Sequence, residues 1–152
     1  MQLTEHLASS IEALYNGEPW LGVTFEEHLP RIDARQATAR INDSNCIWQI
    51  VNHIIFWHQR AQRYIYNEPP EKDGDLPDFY MPDNHGEENW QATLRRLQHS
   101  FEQMAATIRK FPEQELFDTF PGTDQVAIYY IQGIAEHDAY HLGQIVLLRK
   151  YQ

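Results

Sequence analysis

The chain has 152 residues, which is enough for one domain with a substantial core and too few for two. Its 22 acidic and 12 basic residues leave a formal net charge of −10. A surface with this charge repels phosphate backbones and anionic lipids, which disfavours nucleic-acid binding and membrane docking. Hydrophobic residues make up 42% of the sequence, as in folded globular proteins, which excludes disorder throughout.

The cysteine content and the first residues indicate the cellular compartment. Cys46 is the one cysteine, so no internal disulfide can form, as is usual in a reducing compartment. The first residues read MQLTEHLASSIEALYNG and lack the basic region and apolar run of a secretion signal. No apolar run approaches the roughly 18 residues of a membrane-spanning helix. We therefore expect a cytoplasmic protein.

The N-terminal part of the chain predicts one long helix and one short helix. Apolar residues at helical spacing predict the long helix over Thr4–Tyr15. A capping-box pattern at Thr24 and Glu27 predicts a short helix that stops at Pro30. Residues 38–43 are polar and lack a helical period, so we interpret them as a loop or as the fringe of the next helix.

A broad apolar stripe predicts the second long helix. One of the polar residues 43–45 caps its start, and it runs to about Asn67, before two prolines. His53 lies within the stripe, whereas His58 follows five residues later and is turned away by roughly 140° at about 100° per residue. We expect His53 to face inward and His58 to lie on the surface.

Residues 68–85 are expected to form a long loop, because they are rich in proline, aspartate and glycine. Loops of this length in compact domains are often functional covers. Phe79, Tyr80 and Met81 interrupt the polar sequence and indicate partial packing. A disordered connector is the alternative.

Two further long helices are predicted after this loop. The first runs over 87–110 and has an apolar face at helical spacing. Residues 116–122 form a connection that includes a short extended piece. The last helix runs over 125–150, and Thr123 or Asp124 caps its start.

His137 and His141 lie four residues apart in the last predicted helix, so the two imidazoles are presented on the same face. Neutral imidazole is a good ligand for zinc, nickel, iron or copper, so the pair is the start of a metal site. The pair shares its face with Ile134 and Ile145, and a buried polar group without a partner is costly. One metal ion gives both rings a partner. The alternative is a pair of ordinary surface or core histidines.

Four amphipathic helices, with one inward histidine on the second and two on the fourth, predict a helical bundle with a metal site in its core. Two segments carry a resemblance to a known family: WQIVNHIIFW at 48–57 and EHDAYHLGQIVLLRK at 136–150. They resemble the DinB-like (YfiT-like) superfamily of bacterial four-helix metalloproteins. The last motif, His-x-x-x-His followed by Gly-Gln and an aliphatic run, is characteristic of that group, and the resemblance covers most of the chain.

The resemblance implies an all-α fold, a four-helix bundle of DinB/YfiT type with crossover connections and a long middle loop. Residues 1–152 form one such domain. It also implies a divalent metal, which we expect to be zinc, nickel, iron or manganese, held by His53, His137 and His141. Characterised members include metal-dependent transferases that add low-molecular-weight thiols to small electrophiles, and thiol-dependent isomerases. Many members form dimers, so we expect a homodimer that acts on a small molecule.

The thiol is expected to be a cosubstrate, because Cys46 stands alone and no other protein nucleophile is evident. One alternative function is a non-catalytic, stress-related bundle that binds a metal or a ligand. Another is a metal-dependent hydrolase, because His-Asp-x-x-His is similar to the His-Glu-x-x-His motif of zinc proteases, with Asp138 as general base. We interpret Asp138 and Glu136 instead as solvated, or as residues that orient a ligand histidine.

Expectations for the remaining candidates are structural. Trp57 and Trp90 are expected in the core, and Tyr140 is expected to pack more than to line a pocket. Gly133 and Gly143 each cost a helix roughly 1 kcal/mol relative to alanine, which predicts close approach of another helix or subunit. The histidines expected on the surface besides His58 are His6, His28, His85 and His99.

Overall fold

The computed structural model describes residues 2–152, which form an all-α fold. The four predicted long helices are present, and two short helices lie between the first and second of them. None of the helices in residues 2–152 is long and apolar enough to cross a membrane. In chain order the helices are α1 (Leu3–Asn16), α2 (Phe25–His28), α3 (Ala34–Thr38), α4 (Ile47–Ile65), α5 (Glu87–Lys110) and α6 (Ala127–Lys150).

The four long helices form a ring in the order α1, α5, α4, α6. Helix α1 packs against α5 and α6, and α4 packs against the same two helices. Because α1 and α4 lie across the ring from each other, residues 17–46 must cross from one side of the bundle to the other. Residues 111–126 do the same between α5 and α6. The crossover connections implied by the resemblance are therefore confirmed.

Two tryptophans anchor α5 to the rest of the core. The side chains of Trp48 and Trp90 are fully buried, and their ring centroids lie 5.1 Å apart. Trp48 Nε1 donates to Thr93 Oγ1 at 3.1 Å, and Trp90 Nε1 donates to the Ile32 carbonyl oxygen at 2.7 Å. Both indoles bury a large apolar area while their N–H groups keep a partner. The prediction that Trp90 lies in the core is confirmed.

Helix α4 begins later than predicted, because the polar residues before it are used in a turn. Asn42 has a φ of 53°, and the backbone N–H of Ser44 donates to the Ile41 carbonyl oxygen at 3.1 Å. The Ser44 hydroxyl accepts from Ile41 N at 3.3 Å. The residue that caps α4 is Cys46, whose backbone N–H donates to Gln49 Oε1 at 3.3 Å. Turn formation competes for the same short polar side chains that cap helices.

The start of α6 and one short helix also differ from prediction. Val126 is the N-cap of α6, and the Thr123 hydroxyl instead donates to the Phe120 carbonyl oxygen at 2.9 Å, in a preceding turn. The capping box at Thr24 forms as predicted and starts α2. Helix α3 was not predicted, because it is little more than one turn long and has a capping box at Asp33 as its main signal.

The expected close packing at two glycines of α6 does not occur within the described chain. A Cβ atom added at Gly133 or Gly143 would meet no other atom within 4 Å. Gly143 lies on the exposed side of α6. Neither glycine is therefore required by a neighbouring helix of the same chain.

Candidate metal centre

The three histidines that the sequence analysis grouped meet at one point between α4 and α6. His137 Nε2 lies 3.0 Å from His53 Nε2 and 3.1 Å from His141 Nε2. His53 is 7% exposed and His141 is 6% exposed, whereas His137 is only partly buried. Solvent therefore reaches the cluster from the side of His137. Within residues 2–152 this is the one group of three histidine, cysteine or carboxylate side chains that could hold an ion.

Hydrogen bonds on the outer nitrogens fix how two of these imidazoles are protonated. His53 Nδ1 lies 2.5 Å from Asp78 Oδ1, and His141 Nδ1 lies 2.7 Å from Gln144 Oε1. Both partners are acceptors, so each Nδ1 carries the hydrogen and each Nε2 turns a lone pair towards the centre. Two lone pairs that face a common point require a cation or a donor between them.

His137 has a buried but unsatisfied outer nitrogen. Its Nδ1 and Asp138 Oδ1 are both buried without a hydrogen-bond partner, and they lie 3.5 Å apart. A metal on His137 Nε2 would place the ring hydrogen on Nδ1, and a movement of about half an ångström would then complete a hydrogen bond to Asp138. A metal on the other side of the ring would therefore leave neither atom of this pair without a partner.

The spacing of the three inner nitrogens also suits a metal. Zinc–nitrogen distances of about 2.0–2.1 Å at tetrahedral angles place ligand nitrogens about 3.3 Å apart. The observed separations of 3.0 and 3.1 Å need only a small opening to reach this value. Three imidazole nitrogens form a donor set that suits zinc, nickel and iron. The residues present therefore fit a divalent transition metal.

The long loop predicted at 68–85 packs over the cluster and supplies one of its acceptors. The Phe79 ring stacks on His53 at a centroid distance of 3.9 Å and an interplanar angle of 12°. Gln49 Nε2 donates to the Phe79 carbonyl oxygen at 3.3 Å, and Asn52 Nδ2 donates to the Tyr80 carbonyl oxygen at 2.8 Å. The partial packing predicted from the loop's aromatic residues is confirmed.

Phe79 has a backbone conformation that bulky residues rarely adopt. Its φ is 51°, in the left-handed region, where a residue other than glycine is strained by about 1–3 kcal/mol. The stacking on His53 and the bonds from α4 hold it there. The strained residue is next to Asp78, whose carboxylate contacts His53, so the same contacts that hold Phe79 also keep this carboxylate at the cluster.

The expectation that His58 lies on the surface is wrong. His58 is fully buried, with Nε2 2.9 Å from Asp138 Oδ2 and Nδ1 3.0 Å from Ser100 Oγ. Helix α4 lies between α6 and α5, so it is buried on two sides, and a turn of about 140° from His53 points towards α5. The other histidines expected on the surface are exposed (His6, His85 and His99) or half-buried (His28, against Arg149).

The ring of His58 lies between the Ser100 hydroxyl and the Asp138 carboxylate. The Ser100 hydroxyl also donates to the Leu97 carbonyl oxygen at 2.7 Å. Burial raises the pKa of the Asp138 carboxyl, but the nearby imidazoles of His58 and His137 more than offset this and hold the pKa below its usual value. A buried chain of contacts thus runs from Ser100 through His58 and Asp138 to His137.

Burial favours the neutral imidazoles of His53 and His141. It lowers the pKa of His141 to about 4, against the opposing hydrogen bond to Gln144 Oε1. It also lowers the pKa of His53, although Asp78 acts in the opposite direction. Neutral imidazole is the form that binds metal, so protons compete weakly for these nitrogens at neutral pH.

We predict that the metal-free protein loses stability as the pH falls from 7 to 5. The unfolded chain protonates His141 near pH 6.5 and the folded chain only near pH 4, so in between the unfolded chain binds more protons. His141 thus removes about 1–2 kcal/mol of unfolding free energy at pH 5. Denaturant unfolding of chelated protein measures this. His141→Asn should flatten the slope, and the exposed control His99→Asn should not. Equal stability of the chelated wild-type protein at both pH values would rule this out.

The open side of the cluster faces a cavity of about 500 Å³ that His137, Trp57 and Glu136 help to line. The expectation that Trp57 lies in the core is wrong, because its side chain is 40% exposed. Its ring centroid lies 6.2 Å from the rings of both His53 and His137. Tyr140 is also exposed rather than packed, and its hydroxyl accepts from Gln144 Nε2 at 3.0 Å.

Cys46 takes no part in this cluster. Its thiol is buried, and its sulfur lies 3.9 Å from Met81 Sδ. It lies nearly two helical turns before His53 on α4. The Cys46 thiol therefore does not line the cavity beside His137.

Comparison with models of protein families identifies the family of this chain. A family model described as the DinB superfamily matches residues 22–145 of the chain. The matched region includes all three histidines of the cluster, together with Asp78 and Asp138. Neither the curated proteins nor the solved structures include a significant match.

Proposed function

Because the chain belongs to the DinB superfamily and brings three imidazoles together, we propose that it is a divalent-metal-dependent enzyme that transfers a low-molecular-weight thiol to a small electrophile. The observation that carries this proposal is the convergence of three Nε2 atoms at a point that opens to solvent. His53, His137 and His141 would hold zinc, nickel, iron or manganese. When bound, the metal supplies a Lewis acid that keeps a thiol in its reactive thiolate form at neutral pH.

An open coordination position supports catalysis over a structural role. Structural zinc sites are closed by four protein ligands, whereas catalytic sites keep a position for water or substrate. Among the described residues, three side chains share the cluster, and the cavity beside His137 and Trp57 adjoins its open side. A small thiol can enter from this side without displacing a protein ligand.

The contribution of the protein's own residues to this reaction is to position the reactants. In the transfer, the thiol sulfur bonds to the electrophilic carbon while that carbon's bond to a leaving atom, such as an epoxide oxygen or a halide, or the π bond of an activated alkene breaks. The thiol releases its proton to solvent when it becomes a thiolate, and an epoxide oxygen or the neighbouring alkene carbon takes up a proton from solvent, so the step involves no redox change. Asp78 and Gln144 hold the rings of His53 and His141 in their orientations. Trp57 lies beside the open side, where it can orient the electrophile and exclude water.

The hydrolase alternative is poorly supported by the position of Asp138. Its carboxylate is fully buried and faces Nδ1 of His137, the nitrogen directed away from the centre. A general base must reach the reacting water, within about 3 Å or through one further water. Asp138 is therefore placed to orient His137.

The proposal is tested on protein purified without chelator. Elemental analysis should find about one divalent metal per chain, since one cluster is present. Thiol consumption is then followed with cysteine or glutathione against epoxides, activated alkenes and alkyl halides, before and after chelation. Metal-dependent consumption supports the transferase. One bound metal without consumption by any pair indicates the non-catalytic binding bundle, and no bound metal overturns both.

We also propose a homodimer formed through the outer face of α6. Tyr140 and Leu147 are 65% and 55% exposed, and Gly143 between them leaves room for close approach. Exposed apolar side chains at helical spacing are typical of a helix that packs on a partner. Light scattering should give twice the chain mass for wild-type protein and one chain mass for Leu147→Arg. Leu76→Arg, at an exposed leucine elsewhere, is the control. A dimer that survives Leu147→Arg would exclude this face.

A further inference from the structure

Two adjoining cavities lie between α4 and α6, and the first of them lies beside His137. The first has a volume of about 500 Å³ and lies against His137, and the second, of about 350 Å³, lies further along α4. Trp57 and Tyr130 line both cavities, so the two are adjoining parts of one depression between α4 and α6. We call it the aromatic groove and define it by His137, Trp57, Tyr130, Tyr64 and Phe120.

Flat aromatic rings form the walls of this groove. The centroids of Tyr64 and Phe120 lie 5.7 Å apart with an interplanar angle of 18°, and those of Phe120 and Tyr130 lie 5.5 Å apart. Trp57 is 40% exposed and Tyr64 is 46% exposed. Large aromatic side chains that are exposed together in a concave surface mark a ligand site, because exposing their apolar rings to water is unfavourable unless a ligand covers them. The walls suit a flat apolar ligand.

The groove has a direction set by α4. Trp57 and Tyr64 are seven residues apart, so they lie on one face about 10 Å apart along the helix axis. The Trp57 end adjoins the ring of His137, at 6.2 Å between centroids, and the Tyr64 end lies away from the cluster. A phenyl ring with a short chain spans this length.

One cation lies in the groove, away from the three histidines. Arg60 Cζ lies 5.8 Å from the centroid of the Trp57 ring. Arg60 bonds Glu71 at 2.9 Å, but the Glu71 side chain is 75% exposed. An exposed pair of this kind contributes about 0–1 kcal/mol and is screened by salt. An acid group on a ligand can therefore take the place of Glu71, with two parallel hydrogen bonds to the guanidinium.

We propose that the aromatic groove binds the electrophilic substrate, and that this substrate has an apolar aromatic ring and one acid group. The ring lies between Trp57 and Tyr64, and the acid group lies on Arg60. The reactive carbon then points towards His137 and the open side of the cluster. The assignment of this ligand as the electrophile rests on the proposed function, whereas the ligand class rests on the groove itself.

The experiment measures binding of 4-phenylbutyrate and of its neutral amide, 4-phenylbutanamide, by titration calorimetry. Both chelated and zinc-loaded protein are used. Tyr64→Ala is expected to weaken both probes about tenfold, since it removes a wall. Arg60→Gln is expected to weaken the acid about tenfold and to leave the amide unchanged. The controls are Tyr66→Ala and Arg95→Gln, which change an exposed tyrosine and an exposed arginine outside the groove.

Three results would overturn the inference: no saturable binding of either probe at millimolar concentration, equal affinity of Tyr64→Ala and wild type, or equal weakening of acid and amide by Arg60→Gln. Thermal unfolding is measured for each variant, and Tyr64→Leu replaces Tyr64→Ala if the latter is unfolded. Probe binding by a protein that takes up no metal would keep the groove and reject the proposed function. Metal uptake without probe binding would reject the groove alone.

Discussion

Replacing His137 by alanine is expected to abolish metal-dependent thiol transfer and to weaken metal binding by at least about a hundredfold. His137 Nε2 lies within 3.1 Å of the inner nitrogens of both other histidines, so its loss leaves two ligands of three. Loss of outer partners of metal ligands already lowers affinity about 10–100-fold, and loss of a ligand exceeds this. Equilibrium dialysis with zinc and the rate of thiol consumption measure the two effects.

Thermal unfolding separates loss of the metal from loss of the fold. Zinc at about a thousand times its dissociation constant adds about 4 kcal/mol to the unfolding free energy of a protein that binds it only when folded. Wild-type protein should show this gain and His137→Ala should not, while the two chelated proteins unfold at similar temperatures. His6→Ala, at an exposed histidine, should behave as wild type. Retained transfer activity in His137→Ala would remove the proposed mechanism.

The inward histidines could be found from sequence because helical periodicity places them. His137 and His141 are one turn apart, and every α-helix presents such a pair on one face. His53 lies within a long apolar stripe of α4, so its direction follows from the stripe. Periodicity does not indicate which helices face each other. The pairing of α4 with α6 instead follows from the resemblance to the DinB-like family.

The positions of His58 and Trp57 differ from prediction because a single apolar stripe predicts one buried face for α4. The helix packs against both α5 and α6, so the direction of His58, about 140° from His53, is buried as well. The prediction for Trp57 is wrong in the opposite direction, since Trp57 is exposed where burial was expected. It lies in the apolar stripe, but at this level the bundle opens into a cavity, so its ring is 40% exposed. A concave surface is a property of the packed helices and has no period in the sequence.

Asp78 could not be found from the sequence. It lies in a loop without periodic pattern, and its contact with His53 spans 25 residues. The usable signal was the run of three apolar residues just after it, which predicted packing but not its target. Phe79, the next residue, has a left-handed φ, and no sequence feature predicts that conformation for a phenylalanine.

Replacing Asp138 by alanine is expected to lower the unfolding free energy of the metal-free protein by about 1–3 kcal/mol. Both partners of the Asp138–His58 pair are fully buried, so removal of the carboxylate leaves the buried Nε2 of His58 without its hydrogen-bond partner. Glu136→Gln is the matched control, because it removes the same charge from the exposed residue on the other side of His137. Urea unfolding of chelated protein measures the loss, and a difference below about 0.5 kcal/mol would contradict a stabilising buried hydrogen bond between Asp138 and His58.

The Asp138 carboxylate is also expected to orient the ring of His137, and a double variant separates this role from the bond to His58. In Asp138→Ala/His58→Leu neither polar partner of the buried pair remains, and replacing both partners of a buried hydrogen bond by apolar groups can be nearly neutral for stability. Most of the lost stability should therefore return. Zinc affinity should stay about 10–100-fold below wild type, since His137 Nδ1 still lacks its acceptor. Wild-type zinc affinity in the double variant would show that the carboxylate only compensates His58, whereas weak zinc binding in a stable protein assigns it to the orientation of His137.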